Sequence, residues 1–151
     1  MENNLKYRMY VLVARHLSPI QKGIQGAHAI VEYSRYHGNT KEYKAWSEND
    51  KTIVMLDMHS VDDLVGKAYA TLYEAEFPYA AFTEMDLGYI TTAVAFLADE
   101  RIFDYDTYGR SYDDYVKGFG HTADYHTWLQ IIGGFGAEKV KELVAELRIA
   151  I

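Results

Sequence analysis

The sequence contains no cysteine, which excludes a disulfide scaffold, a thiolate metal site and a cysteine nucleophile together. It contains no apolar run near the roughly 20 residues that span a bilayer, so no membrane role is expected. The polar start Met1-Glu2-Asn3-Asn4 leads straight into a strand-like run, without the features of a signal peptide. A cytoplasmic protein is the expectation. No internal repeat and no low-complexity tract is present. Gly118-Phe119-Gly120 has no strand before it and no phosphate-loop pattern after it. Basic residues are also in deficit, with 15 Lys and Arg against 22 Asp and Glu and a net charge of −7. The deficit is uneven, because residues 1–51 carry eight bases against five acids and the remainder seven against seventeen. Phosphate neutralisation dominates general nucleic-acid binding, and only the first third of this chain can present a basic face.

What is present reads as one globular unit. The chain has 151 residues, 49% of them apolar and 25% charged. That length buries roughly 70% of the unfolded surface and needs no metal or disulfide to fold. Tyr7 to Val13 is a near-continuous apolar run, the pattern of a buried strand. Ser18-Pro19-Ile20-Gln21 reads as a helix start, with an N-cap, a proline at the first position and a capping-box glutamine. Ile20, Ile24, Ala27, His28 and Val31 then recur at helical spacing up to Gly38, which predicts a helix with that stripe as its apolar face. Residues 40–50 form a short polar helix or loop. Thr52 to Met58 is a second buried strand, and Ser60 opens a helix with Val61, Leu64, Val65, Ala68 and Leu72 on one face. Tyr79 to Thr83 and Ile90 to Leu97 are two further strands around a tight Asp86-Leu87-Gly88 connection. Helices alternating with short apolar strands imply an α/β sandwich with a mixed sheet. Residues 98–135 differ in character. Five tyrosines fall between Tyr105 and Tyr125, and acids outnumber bases six to two across Asp99 to Asp114. This segment is expected to be an insertion with one or two short helices, ordered by its aromatics. Gly133, Gly134 and Gly136 break the chain before an amphipathic helix, Ala137 to Leu147, and a last short strand, Arg148 to Ile151.

Three stretches in order resemble the type 2 peptidyl-tRNA hydrolase family. They are a strand ending in VLV before a helix carrying Gln25-Gly26-Ala27-His28-Ala29, the turn Asp86-Leu87-Gly88, and the ending VKELVAELRIAI. The resemblance covers most of the chain but not residues 98–135. It implies a three-layer α/β sandwich around a mixed, roughly four-stranded sheet. The whole chain, 1–151, is then a single α/β domain with a Tyr-rich acidic insertion. The resemblance also implies hydrolysis of the ester joining a peptide, or an N-blocked amino acid, to tRNA. In that family a lysine four residues before the Gln-x-x-His motif is tied to activity. Gln21 stands there in this chain, with Lys22 beside it, and the family's arginine after the Asp-x-Gly turn is absent.

Ester hydrolysis needs a positioned base or an activated water, with donors aimed at the developing oxyanion. His28 is the candidate base. Gln25 shares its helix face at i and i+3, Asp86 would orient the imidazole or the water, and Thr92 would supply a hydroxyl. Lys22, Arg15 and Arg35 are the candidate phosphate contacts, with Thr91 beside them at the substrate. Each has a plainer reading: His28 as a core residue, Asp86 as a turn former, and Thr91 and Thr92 as strand formers. No cofactor is called for. Asp57 with His59, and His121 with His126, fall short of a metal site for want of a third ligand. Tyr105, Tyr108, Tyr112, Tyr115, Phe119 and Trp128 form either a stacking platform for a base or partner or a small core. Nearby, Asp104, Asp106, Asp113 and Asp114 read as a solvated face. The second functional reading is a non-catalytic binding protein on the same scaffold, holding a small nucleotide or a protein partner between the Gln25–His28 helix face and the insertion. The candidate partners are therefore tRNA, a small nucleotide, another protein or a second copy of the chain.

Overall fold

In the computed structural model, which describes residues 4–119 and 123–150, the apolar run after Lys6 becomes the central strand of one sheet. This strand, β1 (Tyr7–Ala14), runs parallel to β2 (Ile53–Met58) and antiparallel to β4 (Ile90–Asp99). β3 (Tyr79–Glu84) closes one edge on β4, and β5 (Arg148–Ile149) closes the other on β2, both antiparallel. The mixed sheet therefore has five strands in the order β3-β4-β1-β2-β5, one more than the roughly four expected. The fifth is only two residues long, pairing Ile149 with Leu56 and Arg148 with Asp57. The end of the anticipated last strand, Ile151, lies outside the described residues.

Helices cover both faces. On one side lie α1 (Pro19–His37) and α2 (Lys41–Ala45), which continues as a π-helical turn, Trp46–Asp50. On the other lie α3 (Val61–Asp63), a π turn at Leu64–Ala68, α4 (Tyr69–Glu74) and α9 (Phe135–Ala145). Met9, Val11 and Val13 point into the first layer with Ala29, Tyr33 and Trp46. Tyr10, Leu12 and Ala14 point into the second with Leu64, Leu72, Val140 and Leu143. Covered on both faces, every residue from Met9 to Ala14 is fully buried, which is why this strand reads as an unbroken apolar run rather than an alternating one. No helix among the described residues is long and apolar enough to cross a membrane.

Local chemistry sets where α1 starts and how near it rides to the sheet. Ser18 Oγ accepts from the Gln21 N–H at 3.2 Å, and Pro19 sits in the first turn. The glutamine side chain does not close the box; its Oε1 lies 3.4 Å from Gln25 Nε2 instead. Gly26 faces the sheet, where a Cβ would fall 2.6 Å from Met55 Cε and 3.1 Å from Val11 Cγ1. A glycine there lets the first turns of α1 lie close against β1 and β2.

The described residues of the segment 98–135 hold four short helices rather than one or two: α5 (Glu100–Phe103), α6 (Tyr105–Tyr108), α7 (Tyr112–Phe119) and α8 (Tyr125–Ile132). Of the acids read as a solvated face, Asp104 starts one of these helices, and Asp99 and Asp124 start two more. Asp99, Asp104 and Asp124 each accept a backbone N–H of the following turn, from Arg101, Thr107 and Thr127 at 3.0, 3.1 and 2.8 Å. Each such cap is worth about 1 kcal/mol. Asp114 accepts the Arg110 N–H at 2.9 Å. Tyr115, Trp128 and Ile132 are buried with Tyr108, Tyr112 and Tyr125 packed around them, a small core of their own. Trp128 Nε1 donates to the Tyr108 carbonyl at 3.0 Å, and the Tyr125 hydroxyl donates to Glu138 at 2.7 Å, tying this core to α9. Lys141 of α9 is fully buried and donates to the carbonyls of Arg101 and Ile102 at 2.7 and 3.2 Å, so it caps the end of α5.

Candidate functional site

The residues of α1 that face the sheet are Lys22, Gln25, Gly26, Ala29 and Tyr33. This corrects the sequence expectation, in which the stripe from Ile20 to Val31 is the apolar face of the helix. Ile20, Ile24 and Val31 are 75%, 43% and 57% exposed, and Ala27 and His28 are exposed with them. The reason lies in the sheet. At the end of β1 and β2 nearest the start of α1, Asp57 of β2 points into this layer with its side chain only 2% exposed. A buried carboxylate without a cation costs several kcal/mol, whereas leaving an isoleucine in water forgoes about 1.5–3 kcal/mol. Lys22 turned inside offsets that cost, and the same rotation of the helix leaves Ile20, Ile24 and Val31 in water.

Lys22 Nζ stands 2.8 Å from Asp57 Oδ1, and Arg148 Nε of the short β5 stands 3.6 Å from Oδ2. Among the described residues neither carboxylate oxygen receives a well-aligned hydrogen bond, so coulombic attraction at low dielectric holds the group. Lys22 thus meets Asp57, not Asp86 or His28. One turn further along α1, Gln25 joins a second polar chain. Thr92 Oγ1 donates to Gln25 Oε1 at 2.6 Å, and Gln25 Nε2 donates to Glu84 Oε2 at 3.0 Å. Glu84 Oε1 in turn accepts the Asp86 N–H at 3.2 Å. The Gln25 amide, and after it the Asp86 N–H, hold the Glu84 carboxyl below the usual carboxylate range. Thr92 reaches α1 because β3 and β4 slip register there, with Phe82 opposite Ala93 and Thr83 already opposite Thr91. A bulge of this kind re-aims a side chain. It also sends Thr91 away, toward Tyr69, which packs on the other face of the sheet.

The remaining candidates are dispersed. His28 is exposed and stacks on Phe82 of β3, with ring centroids 4.3 Å apart and planes 13° from parallel. Asp86 is exposed in the 3₁₀ turn Met85–Leu87. Arg15 lies beyond β1, with Nη1 3.4 Å from Nδ1 of His59. Arg35 pairs with Glu32 at 3.3 Å on the last turn of α1, roughly 20 Å along the helix axis from Lys22 at 1.5 Å per residue. The three proposed phosphate contacts therefore form no common basic face. No group of three metal-ligating side chains occurs among the described residues; Asp57 belongs to Lys22, and His121 lies outside those residues. The aromatics of the insertion are core rather than platform, with Tyr105 set between the Arg110 guanidinium and the Lys141 ammonium at 4.6 and 5.0 Å. The side chain of Phe119 falls outside the described set.

Of the residues singled out from sequence, the fold joins Gln25 directly to Thr92, sets His28 beside that chain, and joins Lys22 to Asp57. Sequence reasoning missed Asp57 as the partner of Lys22, and missed Glu84, Phe82 and Arg148 altogether. One signal was there: a lone aspartate in the apolar run TIVMLDM must be buried and must find a cation. Nothing local says which one.

The sequence matches no protein-family model and no curated protein. Among solved structures it is similar to a protein of unknown function from Agrobacterium tumefaciens, with 14% identity over 66% of this chain and 91% of that one, at a TM-score of 0.47. The strand order and the helices on both faces define the class as an α/β fold with a mixed five-stranded sheet.

Proposed function

We propose that this chain is a non-catalytic binding protein on a peptidyl-tRNA hydrolase-like scaffold, and that a protein partner docks on the outer face of α1 and the adjoining edge of β3. The observation that carries this reading is the outward apolar stripe. Ile20, Ile24 and Val31 stand exposed on α1, and Met85, in the turn after β3, is 66% exposed. The Gln25–Glu84 bond and the His28–Phe82 stack join these two elements. Contiguous apolar surface rimmed by polar groups marks an interaction site. Covering the four side chains would contribute roughly 4 kcal/mol before the costs of association. Glu84 and Asp86 border the patch and favour a partner whose apolar face is flanked by lysine or arginine.

The groups a hydrolase would use are committed within the fold: Lys22 to Asp57, and Thr92 to Gln25. Two experiments test the reading. In a lysate of the source organism, the immobilised protein should retain a partner that the Ile20→Ser/Ile24→Ser variant loses. The variant's melting temperature should match the parent's, because both residues are exposed. Equal retention by the variant, or no partner, refutes the docking face. The second experiment is hydrolysis of N-blocked aminoacyl-tRNA beside a His28→Ala control. No release is expected; release that disappears in the variant would make the site catalytic.

A further inference from the structure

A second feature lies at the opposite end of the sheet from Lys22 and Asp57. Between the last turns of α1, the start of α2, the loop into β3 and the end of β4 is a cavity of about 370 Å³. That is the lower end of the range for pockets holding small organic molecules, roughly 300–1,000 Å³. Its apolar walls come from Tyr33, Phe77 and Leu97. The charges on it are unbalanced. Arg101 is bound to Asp99 through Nε and Nη2 at 3.0 and 2.9 Å. Glu42 and Glu76 also line the cavity, and among the described residues neither forms an ion pair or a side-chain hydrogen bond. They come from separate elements, α2 and the loop before β3.

We propose that this cavity binds a small organic cation, a primary amine or amidine carried on an aryl or short alkyl body. The apolar walls take the body, and Glu42 and Glu76 take the charge. An anion of the same shape would meet two uncompensated carboxylates. A neutral analogue would gain only the apolar contact. Two phenols strengthen the assignment. Burial first, and the Glu42 carboxylate second, raise the Tyr7 hydroxyl above its usual range and push that of Tyr33 up to about 12. The field of Glu42 therefore reaches both rings, and both hydroxyls stay protonated at neutral pH. The inference is independent of the docking face on α1 and survives if that reading fails.

The test is titration of the isotopically labelled full chain with 2-phenylethylamine and with benzamidine, followed by amide NMR. The matched controls are 2-phenylethanol and 3-phenylpropionate. The expected result is saturable shifts centred on Tyr7, Tyr33 and Leu97 for the two cations, weaker binding of the alcohol and none of the acid. Glu42→Gln and Glu76→Gln should each weaken cation binding about three- to fivefold, the upper range for a partly exposed ion pair, and together about tenfold. Both residues are exposed, so the variants should keep the parent's melting temperature. Equal binding of 3-phenylpropionate, an unchanged affinity in the double variant, or no saturable shift with either cation overturns the proposal.

Discussion

Replacing Lys22 with methionine separates a structural lysine from a substrate contact. The methionine keeps most of the length of the side chain and removes the ammonium, leaving Asp57 with its side chain 2% exposed and Arg148 3.6 Å away as its nearest cation. Arg148 is largely exposed and beyond hydrogen-bond range, so it offsets little of the loss. Breaking one side of a buried pair costs about 3–5 kcal/mol, because the remaining charge is stranded at low dielectric. A chain of this size has a total stability of roughly 5–15 kcal/mol. Each kcal/mol moves the midpoint by about 2–4 °C, so Lys22→Met should lower it by about 6–20 °C. Adding Asp57→Leu should restore most of that loss, since replacing both partners by apolar groups is often nearly neutral. Urea unfolding of the parent, both single variants and the double variant gives the coupling energy directly. A loss below about 1 kcal/mol in Lys22→Met, or a double variant no better than the single, would refute the account of why α1 turns its apolar stripe outward.

Two further predictions concern the insertion and its anchor. Burial lowers Lys141 from 10.5 to about 8. Between those values the unfolded chain holds the proton and the folded chain does not, so rising pH favours folding, by at most about 1.4 kcal/mol per unit. The stability difference between the parent and Lys141→Met should therefore grow from pH 8 to 9.5, read by urea unfolding. Tyr10, Tyr33 and Tyr125 are shifted upward and act in the opposite sense only above their ordinary value of 10.0. They are also present in both proteins and cancel in the difference. A flat difference would show that Lys141 is not desolvated in the fold. Trp128→Ala should remove about 3–5 kcal/mol from the small core around Tyr115 and Ile132. Amide exchange should then rise across α7 and α8 while β1 and β4 stay protected; uniform protection, or exchange rising equally everywhere, would mean the insertion has no core of its own.

The strands and caps were legible because their causes are local. Tyr7–Ala14 is a strand covered on both faces and therefore apolar at every step. Ser18 before Pro19 marks a helix start by a bond that closes within three residues. Gly133 and Gly134 both adopt positive φ, at 109° and 101°, where α8 gives way to α9. The site was legible only in part. Gln25, His28 and Thr92 were singled out, and the first and last do meet. Their meeting depends on a register slip between β3 and β4 that no spacing in the sequence announces. The four helices of the insertion were undercounted because Asp104, which looks like part of a solvated face, serves as a cap, as does Asp124.

The sequence by itself determined where the chain extends, where it coils and where it reverses, since propensity, capping and turn chemistry act over a few residues. Tertiary structure decided which face of α1 is inside. Periodicity shows that a helix has an apolar stripe, but not that a buried aspartate 35 residues past Lys22 will call a lysine inward and leave Ile20, Ile24 and Val31 in water. That choice belongs to the free energy of a charge in a low-dielectric interior, which depends on what the sheet places there and on nothing adjacent in the chain.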